Sequence, residues 1–427
     1  MGWKLKLGAG IVAFYLLFAI IAPYVVNREN VENWYSITYW THNPRFAPPE
    51  WVNLFGRSLP VTETIEAVKA GEDVYRMAYS FHYSTLPDDI IILFKTPPKG
   101  TVTVNVTTPD GRTFTVYSGP PVELDFRKSP PVAQSIIRNS GMNFTMDERI
   151  TMMVTGKVLN VIFSRREGGS WVPVRGTYLF TVSASSEPYL KVVGKACCPM
   201  GTDAFGRDLW SAFLWGTRQT LELVFSIAAT AVLLGLLLGL AGSVSGRSGS
   251  AVDFASQVST MLPMIPLLIA LIPILQTVGY YGSLSVPVWD FAIVLGLLLF
   301  GRISRNIKTM AVVEKSKEYA RAARALGGSE WWVTKHHVMR IVLPYALSEF
   351  ILLSAKALAL ISILGFFRVI PGFNWGGLLA MVIKQRALYL GAWWMVLPIG
   401  TAIAVLALGF VLIHLEMEER FIDPWLS

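Results

Sequence analysis

Residues 318–344 read EYARAARALGGSEWWVTKHHVMRIVLP. Glu318 to Leu326 is a run of strong helix formers, and Gly327-Gly328 stops it. Ser329 is placed to cap a second helix, with Glu330 in the first turn, where the helix dipole favours an acid. Trp331, Trp332 and Val333 give that second helix bulky apolar contacts. Pro344 is expected to open the apolar run that follows. The stretch therefore predicts two short helices around a Gly-Gly turn, alanines on the first and tryptophans on the second. Alanines let another surface approach closely, and exposed tryptophans are frequent interface anchors.

The surroundings of this stretch decide what kind of protein carries it. Of 427 residues, 53% are hydrophobic and only 15% are charged. A soluble domain carries roughly 25% charged residues, so much of this chain is expected to lie in lipid. Between Arg302 and Arg340 there are nine Lys and Arg against three Glu, an excess of six in a chain whose net charge is +8. Short loops rich in Lys and Arg stay in the cytoplasm, which places 318–344 there.

Six apolar spans are expected. The first runs from Leu7 to Val26 behind the basic Lys4 and Lys6. It is long enough to cross a bilayer, and no A-x-A cleavage site follows it before Asn27, so it reads as an uncleaved anchor with its basic end inside. The others lie near Thr220–Ser243, Phe254–Val278, Val286–Ile303, Leu343–Phe367 and Trp393–Leu415. An even count puts both termini in the cytoplasm. The link Ser245 to Asp253 is then inside and Gly279 to Ser285 outside. Pro263, Pro266 and Pro273 interrupt span 3 and free backbone carbonyls there.

Between spans 1 and 2, from Asn27 to about Ala196, charges are frequent and period-2 runs appear. Thr101 to Val106, the Pro109-Asp110-Gly111 turn and Thr113 to Tyr117 form a hairpin signal. A second pair is read at Lys157 to Arg165 and Gly176 to Ala184. This segment predicts a water-exposed β-sandwich on the outer side. Asn105 and Asn143 fit the glycosylation acceptor pattern. Cys197 and Cys198 are adjacent; a disulfide between neighbours is strained, and the pair is given no role.

Three readings compete for 318–344: a solvated loop, a nucleic-acid helix-turn-helix, and a docking site for a cytoplasmic protein. Alanine-rich helices with paired tryptophans are poor solvated loops, and two flanking spans tie the segment away from nucleic acid. Docking is the reading retained. Glu318-x-Ala320-x-Ala322-Ala323-x-x-x-Gly327, followed by His337 and Leu343-Pro344, resembles the EAA loop of ABC importer permeases. Gly201-Thr202-Asp203-x-x-Gly206-Arg207-Asp208 resembles the GTDxxGRD signature of the dipeptide/oligopeptide branch, C-type subunit. Ser362-Ile363-Leu364-Gly365 with Asn374-Trp375-Gly376, and the terminal Asp423-Pro424, are similar to further stretches of that family. The resemblance covers about residues 197–427. Three features depart from it: Arg340 stands where a proline is usual, no acid stands near Leu358, and the outer segment is far larger than the usual link.

The resemblance implies an all-α polytopic membrane protein of six transmembrane helices, like type I ABC importer permeases. A large extracytoplasmic β-rich domain would be inserted between spans 1 and 2. The expected divisions are 1–26 for the first helix, 27–196 for the β-rich domain and 197–427 for the permease core, with the coupling loop at about 304–342. The implied partners are a second homologous permease, two cytoplasmic ABC ATPase subunits, an extracytoplasmic substrate-binding protein and membrane lipid. ATP and magnesium belong on the ATPase subunits; this chain has no Gly-x-x-x-x-Gly-Lys-Ser/Thr phosphate loop and is expected to bind no cofactor, no metal and no nucleic acid, and to be no enzyme.

Glu318, Ala322, Ala323, Gly327, Trp331, Trp332 and His337 are the implied coupling residues. The cargo is expected to be di- or oligopeptides, with oligosaccharides as the alternative; a secondary transporter or a membrane-anchored receptor is the competing class. Read physically, Thr202 or Asp203 caps a helix along the outer face, with Asp203 and Arg207 paired at i,i+4; a calcium loop is disfavoured because the ligand pattern is missing. Lys356 lies deep in span 5, where a lone Lys is costly. With Gln276 it is a candidate to line the translocation path; pairing with Glu222 or snorkelling is the alternative.

Overall fold

The chain divides into two units, Met1–Val31 with Ser211–Ser427, and Glu32–Trp210. The structure, a computed structural model, describes residues 2–422 apart from 168–169, 245, 264–265, 268–269, 271–287, 369 and 371. In chain order the elements begin with α1 (Trp3–Val25) and the short α2 (Arg28–Glu32).

Strands β1 (Glu63–Glu66), β2 (Val68–Gly71), β3 (Val74–Phe81), β4 (Asp89–Phe94), β5 (Val102–Thr107), β6 (Thr113–Gly119) and β7 (Leu124–Asp125) follow. Next come α3 (Pro130–Asn139), α4 (Met146–Thr155), α5 (Leu159–Phe163), β8 (Ser164–Glu167), β9 (Ser170–Pro173), β10 (Gly176–Ser183) and β11 (Pro188–Val193). One sheet has the order β1-β11-β4-β7 and the other β2-β3-β10-β5-β6. Alternation sets the faces: in β3, Met77, Tyr79 and Phe81 are buried while Arg76, Ala78 and Ser80 are exposed. Tyr178 and Phe180 of β10 stand opposite Tyr79 and Met77 in register. Both sheets, with α3 and α5, fill one hydrophobic core, as a sandwich requires.

The expected hairpin at 101–117 is present as β5 paired to β6, with Gly111 at φ +85° in the turn. The second expected pair is not. Residues 159–163 are helical, because Leu159, Val161, Ile162 and Phe163 are all buried, which a half-exposed strand cannot achieve. Ser164–Glu167 pairs instead with Ser170–Pro173, and β10 lies between β3 and β5. Cys197 and Cys198 are disulfide-linked, against expectation. Their amides are held by the Pro48 carbonyl and the Glu50 carboxylate, and Cys198 takes φ 62°.

The helical unit continues with α6 (Leu209–Gly242), α7 (Gly246–Met261), α8 (Val288–Ser316), α9 (Glu318–Ala325), α10 (Glu330–Val333), α11 (Met339–Phe366), α12 (Trp375–Lys384) and α13 (Leu397–Met417). Among the described residues four helices are long and apolar enough to cross a membrane: Trp3–Val25, Leu209–Gly242, Glu330–Phe366 and Trp393–Arg420. Much of expected span 3, with Pro273 and Gln276, and the link 279–285 lie outside the described residues, and so do Asp423 and Pro424. Residues 246–253, expected as a link, are helical; Lys308 holds α7 to α8 through the Asp253 carboxylate at 2.6 Å and the Gly249 carbonyl at 2.9 Å. Pro344 does not open a helix. It lies inside α11, which continues from α10 through one wide π-helical turn at Thr334–Val338.

Small residues set the helix crossings, as they do where lipid gives no drive to associate. A Cβ on Gly235 or Gly239 of α6 would meet Ile303 or Ser304 of α8 at 2.7 Å. A Cβ on Gly8 of α1 would lie 2.6 Å from the Gly409 carbonyl of α13, and one on Gly409 2.8 Å from Ile11. Gly400 of the same helix has no atom within 4 Å of its would-be Cβ. Gly409→Leu should therefore destabilise the detergent-solubilised chain by about 1–3 kcal/mol. Gly400→Leu should stay within about 0.5 kcal/mol of the parent; thermal unfolding of the two variants checks the contrast.

Candidate functional site

The stretch 318–344 folds as its residues require. α9 closes in a Schellman turn: Gly328 N–H donates to the Ala323 carbonyl at 3.0 Å and Gly327 N–H to the Arg324 carbonyl at 3.0 Å. Gly327 sits at φ +94°, the left-handed region that only glycine enters freely. Ser329 then caps α10, its hydroxyl accepting from Trp332 N–H at 3.1 Å.

One arginine fastens the two helices to α8. Arg324 donates to the Lys315 carbonyl at 2.6 Å, to the Ala320 carbonyl at 3.3 Å and to Glu330 at 3.0 Å. Glu330 also faces Lys315 at 3.6 Å, and the buried Lys315 donates to Ser243 Oγ at 3.1 Å. Ala320 is fully buried beneath. This clamp was not read from the sequence. Its partners outside α9 lie six and nine residues from Arg324, and no rule for neighbours on one helix face links them; the only signal was the density of charge in an alanine-rich helix.

Large apolar side chains are among what the clamp leaves outward. Leu326 is 90% exposed, Trp331 72% and Trp332 43%; Ala322, Gly327 and Glu318 are exposed and Ala323 half-buried. Tyr319 and Trp332 pack on the His337 ring at 5.0 and 5.6 Å, and His336 stacks on Trp332 at 4.4 Å. Of the expected coupling residues, Glu318 to Trp332 lie on this helix pair and its turn, and His337 lies in the π-helical turn that joins α10 to α11.

The segment 201–208 is not a helix. Thr202 and Asp208 form an antiparallel bridge around a tight turn, with Gly201 at φ +77° and Gly206 at +80°. The expected Asp203–Arg207 pair is present at 2.6 Å and buried, and it is what closes the turn. The Asp203 carboxylate also accepts from the Phe205 and Arg207 amides, each at 2.9 Å. The Arg207 guanidinium lies over Trp34 at 4.6 Å and Phe205 at 4.9 Å. Thr202 Oγ1 donates to the Pro44 carbonyl and accepts from Ala47 N–H, while Asn43 donates to the Gly206 carbonyl at 3.0 Å. Asp208 accepts from Trp210 N–H at 3.0 Å and so caps α6. The partner segment 34–47 went unread because its contacts are about 160 residues away in sequence.

Gly365 and Gly376 meet backbone to backbone. A Cβ on Gly376 would lie 2.3 Å from the Ser362 carbonyl, and one on Gly365 2.2 Å from Asn374 Oδ1. Asn374 caps α12 through Gly377 N–H at 2.8 Å, and Trp375 is buried against Phe213 and Tyr15. Lys356 is exposed on α11. Glu222, the alternative partner for it, is taken by Arg218 at 2.9 Å.

With this geometry in view, the comparisons with known proteins decide the family. Residues 231–421 match the model of the binding-protein-dependent transport system inner membrane component. A peptide transport system permease protein of Escherichia coli is 32% identical over 211 residues, which is 48% of this chain and 67% of that one. The chain belongs to this permease family. Two more relatives are similar over the same half. One, from Escherichia coli, is named "Probable D,D-dipeptide transport system permease protein" and is 29% identical over 228 residues, 52% of this chain and 72% of its own. A dipeptide transport system permease protein of Alkalihalophilus pseudofirmus is 28% identical over 228 residues, 52% of this chain and 71% of its own. Permeases of this family are non-catalytic membrane subunits that bind no cofactor; ATP hydrolysis lies in partner subunits.

Removing one partner of a buried ion pair leaves an uncompensated charge. Arg207→Ala should destabilise the Glu32–Trp210 unit by about 3–5 kcal/mol. Lys95→Ala, which breaks the exposed pair with Glu187, should change it far less. Denaturant unfolding of both variants is the check.

Proposed function

We propose that this permease is one half of the translocation path of an ATP-driven importer of di- or oligopeptides. It pairs with a second, homologous permease, and two ATPase subunits dock on its cytoplasmic side. The β unit is extracytoplasmic and helps seat a substrate-binding protein or the second permease. The observation that carries this reading is the exposed Leu326, Trp331 and Trp332 face on a helix pair braced by Arg324. Large apolar side chains on a rigid, basic, membrane-tethered knob fit a docking surface. Because α10 runs on into α11, a push on the knob is delivered to a membrane-spanning helix as a rigid-body shift. Peptide is the favoured cargo because the relatives at 28–32% identity carry peptide names.

Ala322→Arg tests the docking face, since Ala322 is exposed and the variant should fold normally. In proteoliposomes holding the whole complex, substrate-stimulated ATP hydrolysis should fall by about tenfold or more, as a lost hot-spot contact would give. Unchanged coupling would count against the site. Lys356 is proposed to line the path, and no ion-pair partner for it stands among the described residues. Lys356→Met should lower uptake while leaving assembly intact; normal uptake would remove it from the path.

A further inference from the structure

Two buried carboxylates of the β unit have no part in anything above. Asp89 opens β4 and Asp125 ends β7, and they are 4% and 1% exposed. Both converge on one backbone N–H. Arg127 N donates to Asp89 Oδ1 at 3.1 Å and to Asp125 Oδ1 at 3.0 Å. Asp89 Oδ1 also accepts from Ile90 N–H at 2.8 Å, and Asp125 Oδ1 from Lys128 N–H at 2.6 Å. Asp125 Oδ2 is buried and forms no well-aligned hydrogen bond among the described residues. The Lys128 amine stands 3.2 Å from it, on a side chain that is itself half exposed.

The remaining charged groups at this corner do not relieve the pair. Asp88, the next residue on the strand side, faces Lys195 beyond β11 and the Arg127 side chain, and those two cations act on it. Two buried acids side by side, with one half-solvated ammonium, cannot both ionise cheaply. The arrangement disfavours charge on Asp89, which lies buried beside the Asp125 carboxylate.

The pair sits where it can move something. β7 is an edge strand of two residues, joined to β4 by Ile91 opposite Asp125 and Ile92 opposite Leu124. The Asp125 carboxylate also organises the turn into α3, and Ser129 N–H bonds to the Asp125 carbonyl at 3.0 Å. We propose that Asp89 holds a proton beside the Asp125 carboxylate and that the two act as a pH-sensitive latch on the β7–α3 corner. The corner is closed while the proton is held and loosened when it leaves.

The sign follows from the folded and unfolded forms. Burial, then the neighbouring Asp125, pushes Asp89 up to about 8. The folded unit therefore keeps a proton that the unfolded chain has already lost above the ordinary aspartate range. Stability from the latch is full in acid, falls as pH rises towards 8, and levels off above it. This is opposite to the behaviour of a carboxylate paired with a cation, and it suits an outer compartment at or below neutral pH.

The test uses the full chain in detergent. The unfolding transition of the β unit should fall by roughly 5–10 °C between pH 6 and pH 9. Asp89→Asn carries the hydrogens of the protonated form permanently and should flatten that fall to about 2 °C or less. Peptides spanning Arg127 and Lys128 should exchange amide hydrogens faster at pH 9 than the intrinsic rate change explains in the parent, but not in Asp89→Asn. Should that variant misfold, infrared difference spectra of the parent between pH 6 and pH 9 serve instead, and should show a buried protonated carboxyl that disappears. A parallel pH profile in Asp89→Asn, or no such carboxyl in the parent, overturns the proposal.

Discussion

Arg324 holds together the helix pair between α8 and α11. Its guanidinium takes the Lys315 carbonyl in the last turn of α8, the Ala320 carbonyl of α9 and the Glu330 carboxylate at once. A guanidinium presents several donors in a fixed planar fork, so one side chain can fix three elements. Because Arg324 and Glu330 are partly exposed, the pair adds little stability by itself. Its effect is geometric. Without it, α9 and α10 would be two short helices on a glycine hinge, and helices of that length are marginal alone. With it, they form a stiff knob between α8 and α11.

A second arginine plays the corresponding part in the β unit. Arg207 closes the turn at 203–207, and its planar group lies over the rings of Trp34 and Phe205. The residues of that motif are therefore explained by architecture: Gly201 and Gly206 by positive φ, Thr202 and Asp203 by buried hydrogen bonds, and Asp208 by capping α6. The same holds for Gly365 and Gly376, which are small because two backbones touch there.

What was legible in the sequence was whatever depends on near neighbours. The Gly-Gly stop, the Ser329 cap, the Asp203–Arg207 pairing and the β5–β6 hairpin all follow from residues within a few positions of each other. Errors arose where distant contacts overrode a local pattern. Residues 157–165 alternate well enough for a strand, yet Leu159, Val161, Ile162 and Phe163 are all buried and 159–163 are helical. Pro344 looks like a helix start, yet α11 passes through it, with the π-helical turn at Thr334–Val338 just upstream. A π turn there shifts the register of the helix and so the faces that Trp331 and Trp332 present relative to α11. The Arg324 clamp and the Trp34 cover of Arg207 lay beyond any short-range rule.

The central claim is that the face bearing Leu326, Trp331 and Trp332 touches an ATP-hydrolysing partner. The most direct measurement places a photo-reactive amino acid at position 326 of the full-length chain in the assembled membrane complex. Illumination should join this chain to an ATP-hydrolysing subunit, with a yield that changes when ATP binds. An adduct only to lipid, or only to the second permease, would contradict the account.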